Sequence, residues 1–476
     1  MGALHNSLER QELDAPKCHP DTRIAVISRL IQWITGEIDF DALILWLYGA
    51  AGAGKSAIAH SIADICMERG WLLATFFFWK SATERSNVAR FVATIAYQMA
   101  RAIPALRLLI KAAIDADPMI FRQSIDTQLA KLVLGPLHQL HSTGFNFINC
   151  PFVTVIDGLN ECRGNEIQCS IVRSLASAFK DSPVRFRILI ASRPEVYLQS
   201  TFNSSLVQPH LARLALSHEF SPEKDIYRFL KDSFEKIKRE HPLASYISSS
   251  WPSADVLEEI TNKSSGQFIF ASTTVKYVGG DPHQLPHRRL DVILQIQSPR
   301  GEKDVPYAEL DSLYHHVLSN VTEFGRVKQV LGVIFIVNPV IGFRRLSSVE
   351  MIDDFIFWQP GETKACLSQL ASLIECDAAG DIHILHASLL EFLLDPARSH
   401  EFHLGRGSIL GDIAALGLHH MHQQAIFNKG GLLLASEIFQ LLSCNLLYGQ
   451  ITFTLRASLL AVLMLSRSAQ LHSRKN

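Results

Sequence analysis

The segment that most constrains this chain is Gly49-Ala-Ala-Gly-Ala-Gly-Lys-Ser56, which matches the pattern GxxxxGK(S/T) at every fixed position. An apolar run, Leu43–Tyr48, precedes it and is typical of a strand buried on both faces, and a helical pattern follows to about Arg69. A strand, a glycine-rich turn and a helix are the context that this motif requires. The sequence therefore predicts a loop whose backbone N–H groups surround phosphate oxygens.

Each part of this loop has a physical role. Its glycines allow the backbone to curl, and the N-terminus of the following helix adds a partial positive charge. Lys55 is expected to reach the β- and γ-phosphates, while the hydroxyl of Ser56 is expected to bind Mg²⁺. The predicted nucleotide-binding residues of the loop are Gly49, Ala50, Ala51, Gly52, Ala53, Gly54, Lys55, Ser56 and Ala57.

A carboxylate at the end of a second strand would complete a magnesium site, because Mg²⁺ prefers oxygen ligands. The β-branched run Val153-Thr-Val-Ile156 ends in Asp157, so Asp157 and Ser56 are the predicted Mg²⁺ ligands. The alternative is an ordinary aspartate at a turn, where this residue is common. Glu161 is the candidate catalytic residue that orients or deprotonates an attacking water; otherwise it is a solvated loop glutamate.

A third apolar strand, Ile188–Ala191, is followed by Ser192-Arg193-Pro194. An arginine at this strand end can detect a γ-phosphate through a charge-assisted hydrogen bond, whereas an arginine on the surface is the simpler alternative. The strands alternate with helical patterns up to about residue 215, and helices predominate afterwards. This order predicts an α/β fold, a P-loop NTPase parallel sheet with helices on both faces followed by a mainly helical region.

The charge balance excludes a global attraction to nucleic acid or to an anionic membrane, since 45 Lys and Arg residues stand against 46 Asp and Glu residues. The longest apolar stretches, such as Leu331–Gly342, are shorter than the roughly 20 residues that a membrane span needs. The first residues are polar and unlike a secretory signal. We therefore expect a soluble cytoplasmic protein with neither a nucleic-acid nor a membrane partner.

Taken in order, Gly49–Ser56, Asp157-Gly-Leu-Asn-Glu161-Cys and Ala191-Ser-Arg193-Pro resemble the NACHT group of signal-transduction ATPases. The leader Pro16-Lys-Cys-His-Pro-Asp-Thr-Arg23 and the Phe76-Phe-Phe strand resemble its fungal, NOD-like receptor branch with a nephrocystin-3-like N-terminal domain. The resemblance covers roughly residues 8–400. It implies bound ATP or ADP with Mg²⁺, a closed ADP form, and a homo-oligomer when ATP is bound.

The resemblance also implies a domain organisation. We predict an N-terminal leader at 1–40, a nucleotide-binding domain at 41–215, a helical domain at 216–300, a winged-helix-like domain at 301–403, and a helical tail at 404–476. No repeat is visible after residue 400, where family members usually carry a sensor. Protein partners are therefore expected to supply the sensor or the effector, unless the chain is a truncated member.

The chain departs from the family pattern at one acidic position, where it has Asn160. Asparagine can hold a water but cannot take its proton, so any hydrolysis depends on Glu161 and the chain is at most a slow ATPase. In the family a histidine of the winged-helix domain reads the β-phosphate of ADP, and His386 is the matching residue; a purely structural histidine is the alternative. Arg23 either touches the nucleotide or faces solvent.

Two other functions remain open besides the regulatory switch. A P-loop metabolic kinase would need an acceptor pocket and usually an arginine-rich lid, and the sequence has no such arginine cluster. A nucleic-acid-linked AAA-type ATPase is favoured by the predicted winged helix, but the net charge of −1 argues against it. The turnover rate and a salt-dependent DNA titration separate these possibilities.

Overall fold

The structure is a computed structural model that describes residues 17–79, 87–145, 152–180, 182, 186–216, 220–296, 307–337, 348–377, 380–412 and 415. The chain divides into two compact units. The first comprises Met1–Leu313 with His386–Ser388, and the second comprises Tyr314–Leu385 with Leu389–Asn476. Residues 1–16 of the predicted leader and most of the predicted C-terminal tail lie outside the described residues.

The first unit contains a five-stranded sheet whose paired strands all run parallel, in the order β2-β3-β4-β1-β5. Its strands are β1 Ile44–Tyr48, β2 Leu72–Phe77, β3 Phe152–Asp157, β4 Phe186–Ser192 and β5 Leu211–Ala215. The predicted α/β fold with a parallel sheet is confirmed.

Apolar packing covers both faces of this sheet, as the continuous apolar strands predict. Successive side chains of a strand point to opposite faces. Trp46 and Phe76 accordingly lie in one core cluster, whereas Leu47 and Phe77 lie in the other. The central strand β4 is buried at every position.

Helices connect the strands and continue beyond the sheet. In the first unit they are α1 Ile24–Thr35, α2 Lys55–Glu68, α3 Phe91–Ala102, α4 Leu106–Ala116, α5 Ile125–Leu129, α6 Gly135–Ser142, α7 Asn165–Phe179, α8 Val196–Phe202, α9 Pro222–Glu240, α10 Ala254–Lys263, α11 Phe268–Gly279 and α12 Pro286–Gln295. A π-helical turn, Ala130–Leu134, joins α5 to α6.

Strand β5 was not among the sequence-based predictions. It is short, lies at the sheet edge, and alternates buried residues with the exposed Arg213, so it lacks the continuous apolar run of the other strands. The strand that contains Phe76 begins at Leu72 and ends at Phe77. Within the described residues, no helix combines the length and the apolar character that crossing a membrane requires.

The second unit is mainly helical. Helix α13, Ala308–Ser319, begins in the first unit and ends in the second. The others are α14 Phe324–Gly332, α15 Val349–Ile356, α16 Glu362–Ser368, α17 Ala387–Leu394, whose first two residues belong to the first unit, and α18 Pro396–Ser399. This unit also contains a small hairpin, in which β6 Ile374–Cys376 pairs antiparallel with β7 Ile382–Ile384.

Candidate functional site

The predicted site residues of the sheet emerge at one edge. Tyr48 of β1 is in register with Ser192 of β4, and Ile156 of β3 is in register with Ile190 of β4. Gly49 and Arg193 therefore follow β1 and β4, and Asp157 is the last residue of the neighbouring strand β3. Strands are about 4.8 Å apart, so the loop and Asp157 are separated by about two strand spacings, with Arg193 on the strand between them.

The glycine-rich loop has the backbone conformation that its glycines make possible. Gly52 has a φ of 73° and Gly54 a φ of 90°, both in the left-handed region that favours glycine. Helix α2 begins directly afterwards at Lys55, whose Nζ donates hydrogen bonds to the carbonyls of Gly49 at 2.8 Å and Ala50 at 2.7 Å. The lysine ammonium is thus held at the entrance of the loop, where a phosphate would meet it together with the helix N-terminus.

The acidic strand end is built around a left-handed glycine. Asp157 is buried, and its carbonyl accepts a hydrogen bond from the N–H of Phe78 at 2.9 Å. Gly158 has a φ of 68° and begins a short turn that ends at the partly exposed Glu161. The turn thus returns the chain toward the sheet edge, with Glu161 and Asp157 on the same short segment.

Asn160 has a contact that sequence analysis missed. Its Oδ1 accepts a hydrogen bond from the backbone N–H of Arg193 at 3.0 Å, and its carbonyl accepts one from Nε2 of Gln168 at 3.3 Å. The residue that departs from the family pattern therefore joins the end of β3 to the end of β4. An aspartate could accept the same bond, so the pattern alone did not reveal this role.

The other side of the Arg193 backbone is also held. The indole Nε1 of Trp46 donates to Oγ of Ser192 at 2.8 Å, and this hydroxyl donates to the carbonyl of Arg193 at 3.1 Å. Trp46 itself stacks on Tyr48 and Phe202 with ring centroids 4.3 Å apart in each pair. Buried aromatic packing thus fixes where the arginine leaves the sheet.

Helix α11 packs directly on the loop. A Cβ added to Gly52 would lie 2.2 Å from Cγ2 of Ile269, so only glycine permits this approach. Tyr307 also reaches the loop, since its hydroxyl accepts a hydrogen bond from the N–H of Ala51 at 3.1 Å. Neither contact was predicted, because both join segments that are distant in sequence.

Arg23 lies against the loop and not in solvent. Its side chain is 4% exposed, and its Nη2 donates to the carbonyl of Ala53 at 2.8 Å. Its backbone N–H donates to Oδ2 of Asp225 at 3.0 Å, and its guanidinium lies 4.7 Å from the ring centroid of Phe268. The interpretation of Arg23 as a solvent-facing residue was therefore wrong.

His386 belongs to the first unit and contacts α11. Its Nε2 and Oγ of Ser272 form a hydrogen bond of 3.2 Å, and Ser272 lies one turn after Ile269. Burial, together with the nearby Lys276, lowers the pKa of His386 to about 3, so the imidazole is neutral near pH 7. Its predicted contact with the β-phosphate of ADP stays a prediction.

A magnesium ion would not depend on a preformed carboxylate cage. In the part of the chain that the structure describes, no group of three or more His, Cys, Asp or Glu side chains is arranged to hold a metal. This agrees with the way Mg²⁺ is usually bound beside nucleotides, through one or two protein oxygens with waters and phosphates. Ser56 and Asp157 supply that kind of ligand.

The parallel sheet, the glycine-rich loop at the end of β1 and the acidic end of β3 define a P-loop NTPase. Residues 27–193 match the family model "Nephrocystin 3, N-terminal", so this region is similar to the N-terminal domain of nephrocystin 3. None of the curated proteins matches the chain.

Three of the solved structures to which the chain is similar come from archaea. A Walker-type ATPase of Pyrococcus abyssi is 13% identical with a TM-score of 0.36, over 79% of this chain and 98% of that one. A signal transduction ATPase with a tetratricopeptide repeat sensor, from Pyrococcus horikoshii, is 12% identical with a TM-score of 0.43, over 86% of this chain and 47% of that one. Cdc6p from Pyrobaculum aerophilum is 12% identical with a TM-score of 0.33, over 83% and 97%.

Proposed function

We propose that the protein is a cytoplasmic ATP/ADP-binding regulatory switch of signal transduction, of the NOD-like receptor type that serves innate immunity or self/non-self recognition. The observation that carries this proposal is the contact between α11 and the loop, where Ile269 packs on Gly52. A helix beyond the sheet that touches the phosphate loop can respond to the ligand in it. The output of such a protein is a conformational change.

The described residues fit a magnesium nucleotide. The left-handed glycines and the helix N-terminus at Lys55 suit a phosphate, and residues Gly49–Ala57 would surround it. Ser56 and Asp157 would bind Mg²⁺, which neutralises charge between the phosphates when it is bound. Arg193 would contact the γ-phosphate, since its backbone is fixed at the strand end between the loop and Asp157.

Hydrolysis would be slow or absent, because Glu161 is the one carboxylate in the turn after Asp157 that can accept a proton from water. Asn160 holds the N–H of Arg193 and cannot act as a base. The ATP-bound form would assemble into a homo-oligomer, and protein partners would supply the sensor or the effector.

Sedimentation velocity with ADP and with a slowly hydrolysed ATP analogue tests this switch. We expect the wild type to be compact with ADP and larger or oligomeric with the analogue. Arg193→Ala should stay compact with both, whereas His386→Ala should release ADP faster. Arg173→Ala is the matched control, because this arginine lies on α7 and forms an exposed ion pair with Glu166 at 3.3 Å.

Identical sedimentation of the wild type with both nucleotides would reduce the protein to a static nucleotide-binding domain. A turnover rate near or above about 10 s⁻¹ would instead favour a metabolic enzyme. Binding to DNA that weakens steeply with salt would favour a nucleic-acid-linked ATPase.

A further inference from the structure

Arg23 lies where three segments of the first unit meet. Its guanidinium contacts the phosphate loop at the carbonyl of Ala53 and the ring of Phe268 at the start of α11. Its Nε lies 4.0 Å from Oδ2 of Asp225, in the first turn of α9. A single buried side chain thus joins the loop to both helices.

The bond to Ala53 determines the direction of the next N–H. In a trans peptide the C=O and the N–H point in opposite directions, so the N–H of Gly54 points away from the guanidinium. Gly54 is the N-cap of α2, and the N–H groups at this end of a helix are those that bind anions. A cation that accepts the electron density of the carbonyl also strengthens the N–H of the same peptide as a donor.

We infer that Arg23 is a positioning residue for the phosphate loop, which presents the Gly54 N–H to a bound phosphate and ties this peptide to α9. The inference rests on the proposed nucleotide site and adds a residue outside the motif to it. Arg23 would act through the loop backbone, without touching the phosphate itself.

Arg23 occupies this position at a cost in free energy. Burial lowers the pKa of Arg23 and raises the pKa of Asp225, so for both groups the loss of water outweighs their mutual attraction. Arg23 also has a φ of 58°, in the left-handed region that costs free energy for a residue with a side chain. These costs are consistent with a side chain whose geometry serves the loop.

The role predicts a loss of affinity that is specific for phosphate. Arg23→Ala should weaken the binding of ADP by about tenfold to 100-fold, because a charged hydrogen bond that orients a phosphate donor is removed. The affinity for adenosine, which has no phosphate, should not change. Arg23→Lys should recover part of the ADP affinity, since its ammonium can donate to the same carbonyl.

Arg187→Ala is the matched control. This arginine is equally buried and donates to the carbonyls of Ala42 and Phe40, and its guanidinium lies 5.5 Å from the ring centroid of Trp33. These contacts precede β1, at the sheet edge opposite the loop. Its loss should lower the melting temperature and leave the ratio of ADP to adenosine affinity unchanged.

Competition against a fluorescent ADP analogue measures both affinities, and hydrogen–deuterium exchange of residues 49–57 measures the loop without any ligand. We expect faster exchange of this peptide in Arg23→Ala and not in Arg187→Ala. If Arg23→Ala does not fold, Asp225→Asn serves instead, because it keeps an acceptor for the Arg23 N–H and removes the charge beside Nε.

Three results would overturn the inference. A fall of adenosine affinity in parallel with ADP affinity indicates a contact with the nucleoside and not a role at the phosphate. Equal ADP affinity in wild type and variants indicates no role in binding, even though the nucleotide site exists. Unchanged exchange of residues 49–57 in Arg23→Ala contradicts the positioning role even if the nucleotide site exists. A wild type that binds no ADP contradicts the proposed function, on which the inference rests.

Discussion

A buried arginine donates hydrogen bonds to the backbone both at the amino ends of the parallel strands, called the amino edge, and at their carboxyl ends, called the carboxyl edge. At the amino edge, Arg187 donates to backbone carbonyls before β1, and the rings of Phe179 and Phe186 pack 4.6 Å apart. At the carboxyl edge, Arg23 also donates to a backbone carbonyl, but this carbonyl belongs to the glycine-rich loop. Arg187 thus holds the backbone that enters β1, whereas Arg23 holds the glycine-rich loop.

The difference lies in the backbone that each arginine holds. The carboxyl edge contains left-handed glycines at Gly52, Gly54 and Gly158, which give it loops that surround a ligand. Substitutions at the amino edge should therefore reduce stability, and substitutions at the carboxyl edge should reduce ligand binding, except where a helix packs on the loop.

Lys55→Ala should have the largest effect on binding. The variant should lose at least about 100-fold in affinity for ADP and ATP, because the ammonium that meets the phosphates is gone. Its free energy of unfolding should change by less than about 0.5 kcal/mol, as for most partly exposed positions. Calorimetric titration checks the affinity, with the exposed Lys111→Ala on α4 as the control. Equal affinity in wild type and variant would exclude this loop as the phosphate site.

Gly52→Ala should be the exception among substitutions at the carboxyl edge, because it should reduce stability. The new Cβ would lie 2.2 Å from Ile269, so α11 must move and the free energy of unfolding should fall by about 1–3 kcal/mol beyond the backbone cost. Gly70→Ala is the control for the backbone cost, since its φ is 70° and no atom lies within 4 Å of an added Cβ. Equal urea midpoints for the two variants would show that the contact between Ile269 and Gly52 does not contribute to stability.

Substitutions at Asn160 sharpen the comparison at the end of β3. Asn160→Ala removes the acceptor for the Arg193 N–H and should slow any ATP hydrolysis about fivefold, which corresponds to roughly 1 kcal/mol. Asn160→Asp keeps the acceptor and should hydrolyse ATP at the same rate or faster. Steady-state phosphate release measures both rates. A faster Asn160→Ala variant would contradict the holding role.

Glu161→Gln should stop the residual hydrolysis while ATP still binds, because the amide has a similar shape and cannot accept the proton. Single-turnover hydrolysis and ATP affinity are measured on the same preparation. Hydrolysis by the variant at the wild-type rate would remove Glu161 from the mechanism.

An effect that depends on pH should appear at His386. Its pKa in the folded chain is about 3 against an ordinary 6.5, so the unfolded chain takes up a proton first as the pH falls. The stability contribution is full above pH 6.5 and is lost as the pH falls from 6.5 toward 3. His386→Gln should therefore lose less stability than the wild type between about pH 7.5 and pH 5, as urea midpoints measure. An equal loss would show that His386 titrates normally.

The sheet and its loop were predictable because their signals are local. Continuous apolar runs predict buried strands, and Gly49–Ser56 carries its own context. The contacts of the site were not predictable in the same way. Arg23 meets Ala53, Ile269 meets Gly52, and Tyr307 meets Ala51 across long separations in sequence, which no periodicity reports.

Asn160 teaches a related lesson. Its departure from the acidic pattern was visible in the sequence, and its hydrogen bond to Arg193 was not. An amide cannot act as a base in the way a carboxylate does, but both groups accept hydrogen bonds. The sequence therefore predicted that Asn160 cannot take a proton from water, and it did not predict that Asn160 accepts a hydrogen bond from Arg193.

The most direct test of the central claim is mass spectrometry of the nucleotide released from the purified chain and from Lys55→Ala. The account predicts ADP or ATP in near-equimolar amount with the wild type and none with the variant. Equal nucleotide in both preparations would contradict the assignment of the loop. No nucleotide in the wild type, with no uptake when magnesium ADP is added, would contradict the claim that the carboxyl edge of the sheet is a nucleotide site.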